Sequence, residues 1–126
     1  MLTAAQINSI NDVEVRKVEV SEWGGEVFVR TINCNEHKAL MAQLHGDEKD
    51  EHGHMLLLLT MTLCDEAGAC LYDWKNPEHA KVLAERRVSA LEKCYQVAAS
   101  HNRLVDEEDE ELGKSEAGKR NGSSSG

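Results

Sequence analysis

Apolar and polar residues alternate on both sides of a Gly-Gly pair in the segment Val18-Glu19-Val20-Ser21-Glu22-Trp23-Gly24-Gly25-Glu26-Val27-Phe28-Val29-Arg30. A period of two sends successive side chains to opposite faces of a strand, and glycine reaches positive φ without a Cβ clash, so the pattern predicts a β-hairpin. A two-residue Gly24-Gly25 loop sets Val20 opposite Val29, Val18 opposite Thr31 and Glu19 opposite Arg30. A four-residue loop beginning at Glu22 sets Val20 opposite Val27 and Val18 opposite Val29 instead. Both registers gather the same valines on one face, because a slip of two residues preserves facing. Upstream, Val13-Glu14-Val15-Arg16-Lys17-Val18 changes phase between Val15 and Val18, which predicts a bulge near Arg16 and Lys17 or a strand starting only at Val18.

Helical spacing dominates the rest. Residues 3–11 carry a weak period in Ala4, Ala5, Ile7 and Ile10, enough for a short turn of helix. From Glu36 to Leu44 good helix formers follow Asn35, an available N-cap, with Leu40, Met41 and Leu44 as the expected buried stripe. Charges and glycines without an apolar period make residues 46–53 an expected exposed loop. Residues 54–64 contain Met55, Leu56, Leu57, Leu58, Leu59, Met61 and Leu63, an all-round apolar density that predicts a central buried helix. A strand competes over so short a run, but Leu and Met favour helix over the β-branched types that strands prefer. Gly68 suits the turn that closes it. Asn76-Pro77 then marks a helix start, since proline lacks only an N–H that the first helical position leaves unbonded. Ala80, Leu83, Ala84, Val88, Leu91, Cys94, Tyr95 and Ala98 define one apolar face from there, at spacings of three and four.

Beyond Leu104 the chain turns to an acidic run over 106–111 and then to Gly, Ser, Lys and Asn, which bury too little apolar area to offset ordering entropy. Gly122-Ser123-Ser124-Ser125-Gly126 fits a natural end or an appended linker equally. The elements sum to an α+β fold: an N-terminal β-hairpin packed on a small, mostly α-helical single domain over 1–104, with a disordered acidic tail over 105–126. A chain of 126 residues suits one core, burying about 65–70% of the surface its unfolded form exposes.

The formal net charge is −9, which disfavours a phosphate-backbone partner, so no nucleic acid is expected. The first residues lack the charged and apolar regions of a signal peptide, and no apolar run reaches the roughly 20 residues of a membrane span. A cytoplasmic location without a membrane partner is the expectation. There the free thiol is the default state of Cys34, Cys64, Cys70 and Cys94, so no structural disulfide is expected. Few aromatic residues leave the core to Leu, Val, Met and Ala.

The pattern Val-x-Val-x-x-Trp-Gly-Gly-x-Val-x-Val-Arg over residues 18–30 resembles the opening of the small tail assembly chaperones of long-tailed bacteriophages and prophages. The resemblance continues through the apolar helix ending in Leu63-Cys64-Asp65-Glu66-Ala67-Gly68 and through Leu71-Tyr72-Asp73, and it ends near Asn102-Arg103-Leu104. It implies a non-enzymatic protein that binds the tape measure protein and keeps it soluble until tail tube subunits polymerise around it, and that is absent from the mature virion. It also implies a bend or break near Arg86-Arg87-Val88-Ser89 that divides the last helical stretch in two, and a longer form made by ribosomal frameshifting, which would reach the tail tube protein. Gly113-Lys114 and Gly118-Lys119 are dipeptides that a slippery purine run could encode. No cofactor is implied. Trp23, Phe28 and Arg30 of the hairpin are the candidate partner-binding residues, with Trp23 equally able to cover the hairpin end against a helix. An exposed strand edge makes self-association a further expectation.

Other constellations point elsewhere more weakly. His52, His54, Cys64 and Cys70 are of metal-ligand type, yet there is no CxxC, and a helix between histidines and Cys64 separates them by about 15 Å. Cys34 and His37 lie three apart on an early helix, a spacing that more often reflects coincidence than a catalytic pair. A small metal- or thiol-dependent enzyme using Cys64, Cys70 and the nearby histidines is therefore the alternative, and a generic acidic adaptor or inhibitor is a third. The acidic run over 106–111 suits solubility more than a basic partner.

Overall fold

The computed structural model describes residues 1–46 and 52–104. Most of the expected 46–53 loop and all of the expected 105–126 tail lie outside the described residues. Eight elements follow in order: α1 (Ala4–Ser9), β1 (Val15–Val20), β2 (Gly25–Arg30), α2 (Cys34–Leu44), α3 (Gly53–Thr62), β3 (Leu63–Cys64), α4 (Pro77–Leu83) and α5 (Val88–His101). The fold is α+β. Its antiparallel sheet has the order β1-β2-β3, so β2 is central. Among the described residues no helix is long and apolar enough to cross a membrane.

The hairpin forms with a register different from both expectations. Val18 pairs with Val27, Val20 with Gly25, and Val15 with Arg30. Ser21, Glu22 and Trp23 wind into a 3-10 turn, and Gly24 closes it with φ 70°, a left-handed value that glycine adopts without strain. The turn therefore consumes residues 21–24 rather than 22–25 or 24–25. The slip from either expected register is an even number of residues, so Val18, Val20, Val27 and Val29 still share the core face. Glu19 does not meet Arg30: it stands opposite Glu26, and Lys17 reaches both carboxylates at 3.7 and 3.5 Å. Nor is there a bulge or a late start. β1 pairs continuously from Val15, and the change of phase arises because Val13 and Val15 serve the other face, where both lie 3.4 Å from the position a Cβ on Gly68 would take.

The cap of α2 is Asn33, not Asn35. Asn33 Oδ1 accepts from the Glu36 backbone at 2.8 Å, and Glu36 Oε1 accepts from the Asn33 backbone at 2.9 Å, a reciprocal capping box that also explains why Glu36 is buried. Core contact on this helix is carried by Ala39, Leu40 and Met41 in its middle, and Leu44, expected inside, is 52% exposed in its last turn.

The central helix α3 packs against α2, α4, α5 and β2. Met55, Leu58, Leu59 and Met61 are buried, while Leu56 and Leu57 are half-buried against the core. It ends two residues earlier than the apolar run does: Leu63 turns extended, with φ −62° and ψ 123°, and the last two residues pair with Val29 and Phe28 as β3. Asn76 and Pro77 open α4 as expected, Asn76 Oδ1 accepting from Glu78 at 3.0 Å. The apolar face breaks after Leu83. Ala84 and Val88 are exposed because the chain leaves helical geometry before Val88, and α5 resets the phase with Ala90, Leu91, Cys94, Ala98 and Ala99 buried.

Leu58 and Leu44 test this partition. Leu58→Ala should lower unfolding free energy by about 2–5 kcal/mol, as buried leucines do when a cavity is left. Leu44→Ala should stay within about 0.5 kcal/mol, read by urea denaturation of both variants.

Candidate functional site

The hairpin is fixed to α5 at three places. At its tip, Glu22 accepts from Lys93 Nζ at 2.9 Å and from Ser89 Oγ at 2.9 Å. At its open end, His101 Nε2 lies 3.0 Å from the Glu14 carbonyl; a carbonyl only accepts, so this nitrogen carries the proton. Also at the open end, Asn102, just past the end of α5, uses its whole amide. Its Nδ2 donates to the carbonyls of Arg30 at 3.1 Å and Ala98 at 2.9 Å, and its Oδ1 accepts from the Ile32 backbone at 2.8 Å. Nothing in the pattern of residues 101–103 marks them as a joint, because the bonds to Glu14, Arg30 and Ile32 reach seventy residues or more back along the chain.

Trp23, Phe28 and Arg30 are not brought together. Trp23 sits on the 3-10 turn, half-buried and packed against the core, beside the Glu22 anchor. Phe28 and Arg30 share the other face of β2, two residues apart. Phe28 is half-buried with Lys17 and Cys64 as cross-strand neighbours. Arg30 is occupied within the chain: its Nε donates to the Thr31 carbonyl at 3.2 Å, and its Nη1 donates to the Gly68 carbonyl at 3.1 Å and to Cys70 Sγ at 3.4 Å. The guanidinium thus ties the 65–70 turn to the central strand.

An open cleft of about 550 Å³ lies at the hairpin's open end, with Glu14, Arg30, Asn33, Cys34, His101 and Arg103 on its walls. Arg103 holds φ 58°, a left-handed conformation unusual for a side-chain-bearing residue. A second cleft of about 450 Å³ is lined by His52, His54, Glu92 and Tyr95 among others. There the His54 ring meets Tyr95 edge to face at 6.0 Å, and its buried Nδ1 has no hydrogen-bond partner among the described residues. Burial lowers the His54 pKa, because the charged imidazolium loses more hydration than the neutral ring.

The metal-type residues stay apart. His52 and His54 stand at the start of α3, while Cys64 and Cys70 lie beyond its end. Among the described residues no three His, Cys, Asp or Glu side chains converge into a group that could hold a metal ion. All four cysteines are free thiols, Cys34 and Cys70 exposed, Cys64 and Cys94 buried. Burial pushes the thiols of Cys64 and Cys94 each up to about 11, since a thiolate there would be poorly solvated. Native protein should accordingly lose Cys34 and Cys70 to iodoacetamide first, Cys64 and Cys94 reacting only on unfolding, as peptide mass mapping would read.

Hydrogen bonding by Lys93 first, then by the backbone N–H and Ser89, lowers the Glu22 pKa to about 2, from about 4.5 when free. A carboxylate depressed in the folded state stabilises it above the free pKa, and that contribution fades as pH falls from about 4.5 toward 2. Glu22→Gln should therefore flatten the fall in thermal midpoint across this window while lowering the midpoint at neutral pH, measured by circular dichroism.

No family model matches this chain, and neither does any curated protein or solved structure compared with it.

Proposed function

We propose that this protein is a non-enzymatic tail assembly chaperone of a long-tailed bacteriophage or prophage, which binds the tape measure protein in the host cytoplasm and keeps it soluble until the tail tube assembles around it. The observation that carries this reading is the residue pattern over 18–30, which resembles the opening of that family, together with its course here as a hairpin laid on helices. A tape measure protein exposes long amphipathic helices, and a small chaperone covers them by many weak apolar contacts that tube subunits can displace. Surface for such contacts is available. Helix α1 buries no residue, and Leu2, Ile7, Ile10, Leu71, Val82 and Val88 are exposed large apolar side chains. The net charge of −9 keeps a surface of this kind soluble and suits client segments that interleave basic residues.

Within the hairpin, Phe28 is the residue offered to the client, because Trp23 packs on the core and Arg30 is engaged with Gly68 and Cys70. A longer frameshifted form would carry the same domain to the tail tube protein, and pairing through the outer edge of β1 is the route to self-association.

Co-expression with the long protein encoded downstream tests the proposal. The client should become soluble and co-purify with the chain, and Phe28→Ala should weaken capture by about tenfold, as loss of a central aromatic contact does. A client that remains insoluble and uncaptured would overturn the reading.

A further inference from the structure

Leu71 N–H donates to the Leu63 carbonyl at 2.9 Å and Asp65 N–H to the Ala69 carbonyl at 2.9 Å, which leaves Cys64 and Cys70 directly opposite between these two bonds. That is the non-hydrogen-bonded kind of antiparallel pair. In it the Cα atoms approach to about 4.5 Å with side chains on the same face, whereas a disulfide accepts Cα separations of about 4.4–6.8 Å. The turn holding them is rigidly tied. Asp65 Oδ1 accepts from the backbones of Ala67 and Ala69 at 2.9 Å each, Gly68 N–H donates to the Asp65 carbonyl, and Gly68 takes φ 92°.

The two thiols are unequal in access. Cys70 is exposed, and Cys64 is 2% exposed behind it on β3. An N–H of Arg30 points at Cys70 Sγ, so negative charge gathering on that sulfur faces a cation, while the same sulfur lies 3.5 Å from the Met61 carbonyl. Cys34 and Cys94 belong to other elements, α2 and α5.

We propose that Cys64 and Cys70 are a reversible modification site, closed to an intramolecular disulfide by a small hydroperoxide. In the first step a Cys70 sulfur lone pair attacks a peroxide oxygen and the O–O bond breaks. The leaving hydroxide takes the Cys70 proton as water, and Cys70 becomes a sulfenic acid. In the second step the Cys64 sulfur attacks the Cys70 sulfur, the S–O bond breaks, and hydroxide departs with the Cys64 proton as a second water. Two thiols have lost two electrons and two protons, and hydrogen peroxide has become two waters. A dithiol reductant reverses the bond by exchange. This site goes beyond the chaperone reading and does not depend on it.

The full chain treated with hydrogen peroxide provides the test. The native protein should become two hydrogen atoms lighter, and cleavage after Glu66 should leave two fragments joined through Cys64 and Cys70 until dithiothreitol is added. Cys34→Ser should oxidise in the same way, and Cys70→Ser should lose the linked product. The same treatment in urea should scatter the pairings to include Cys34 or Cys94, showing that the folded turn selects the partner. A native product in which Cys70 carries sulfinic acid while Cys64 stays a thiol, or in which the link involves Cys34 or Cys94, overturns the proposal.

Discussion

The fold depends on one change of conformation inside one apolar run. Residues 55–64 are greasy throughout, yet the chain is helical only to Thr62 and then extended for Leu63 and Cys64. Thr62 marks the exit: its Oγ1 donates to the Leu58 carbonyl at 2.8 Å, and Leu63 N–H still donates to Leu59. By switching there, the run contributes the buried middle of the helical layer and a third strand beside β2. Its last two side chains lie 2% exposed, and their backbone is paired with Val29 and Phe28. Had the helix continued, β2 would present an unpaired edge beneath the helices, a costly arrangement for buried peptide groups.

Helix α5 supplies the second constraint. It crosses the hairpin from tip to open end, with Lys93 and Ser89 holding Glu22 and with His101 and Asn102 holding Glu14, Arg30 and Ile32. These are polar bonds at the ends of an apolar contact, and they set where the helix lies rather than how strongly it adheres. Trp23 and Arg30 are drawn into this bracing. Phe28, half-buried on the face of β2 opposite the core valines, takes no part in it.

Element type and facing were legible in the sequence because both follow from periodicity. The valines of residues 18–29 fall on the core face in any register that differs by an even slip, so their facing does not depend on how the turn is built. Register itself was hidden, since the 3-10 turn over Ser21, Glu22 and Trp23 is stabilised by Lys93 and Ser89, about seventy residues away. Asn33 and Asn35 are alike as caps by residue type, and only Asn33 stands three residues before Glu36, the Asn-x-x-Glu spacing of a capping box. The end of α3 was not readable from hydropathy, because a buried helix and a buried strand are both uniformly apolar. The break between α4 and α5 leaves no mark on the apolar spacing, which runs on through Ala84 and Val88 although the break removes both from the buried face. Asn102 carries no local signature at all.

The acidity of the chain and its exposed apolar side chains make physical sense together. Large apolar groups scattered over a surface invite self-adhesion, and a charge of one sign on every copy opposes it through repulsion that weakens as salt rises. The edge strand follows the same logic, for Arg16, Lys17 and Glu19 on β1 are all exposed, and an incoming strand would have to be matched against both signs of charge. Net charge and edge charges together oppose indiscriminate contact between copies and confine any pairing through β1 to registers that match its charges.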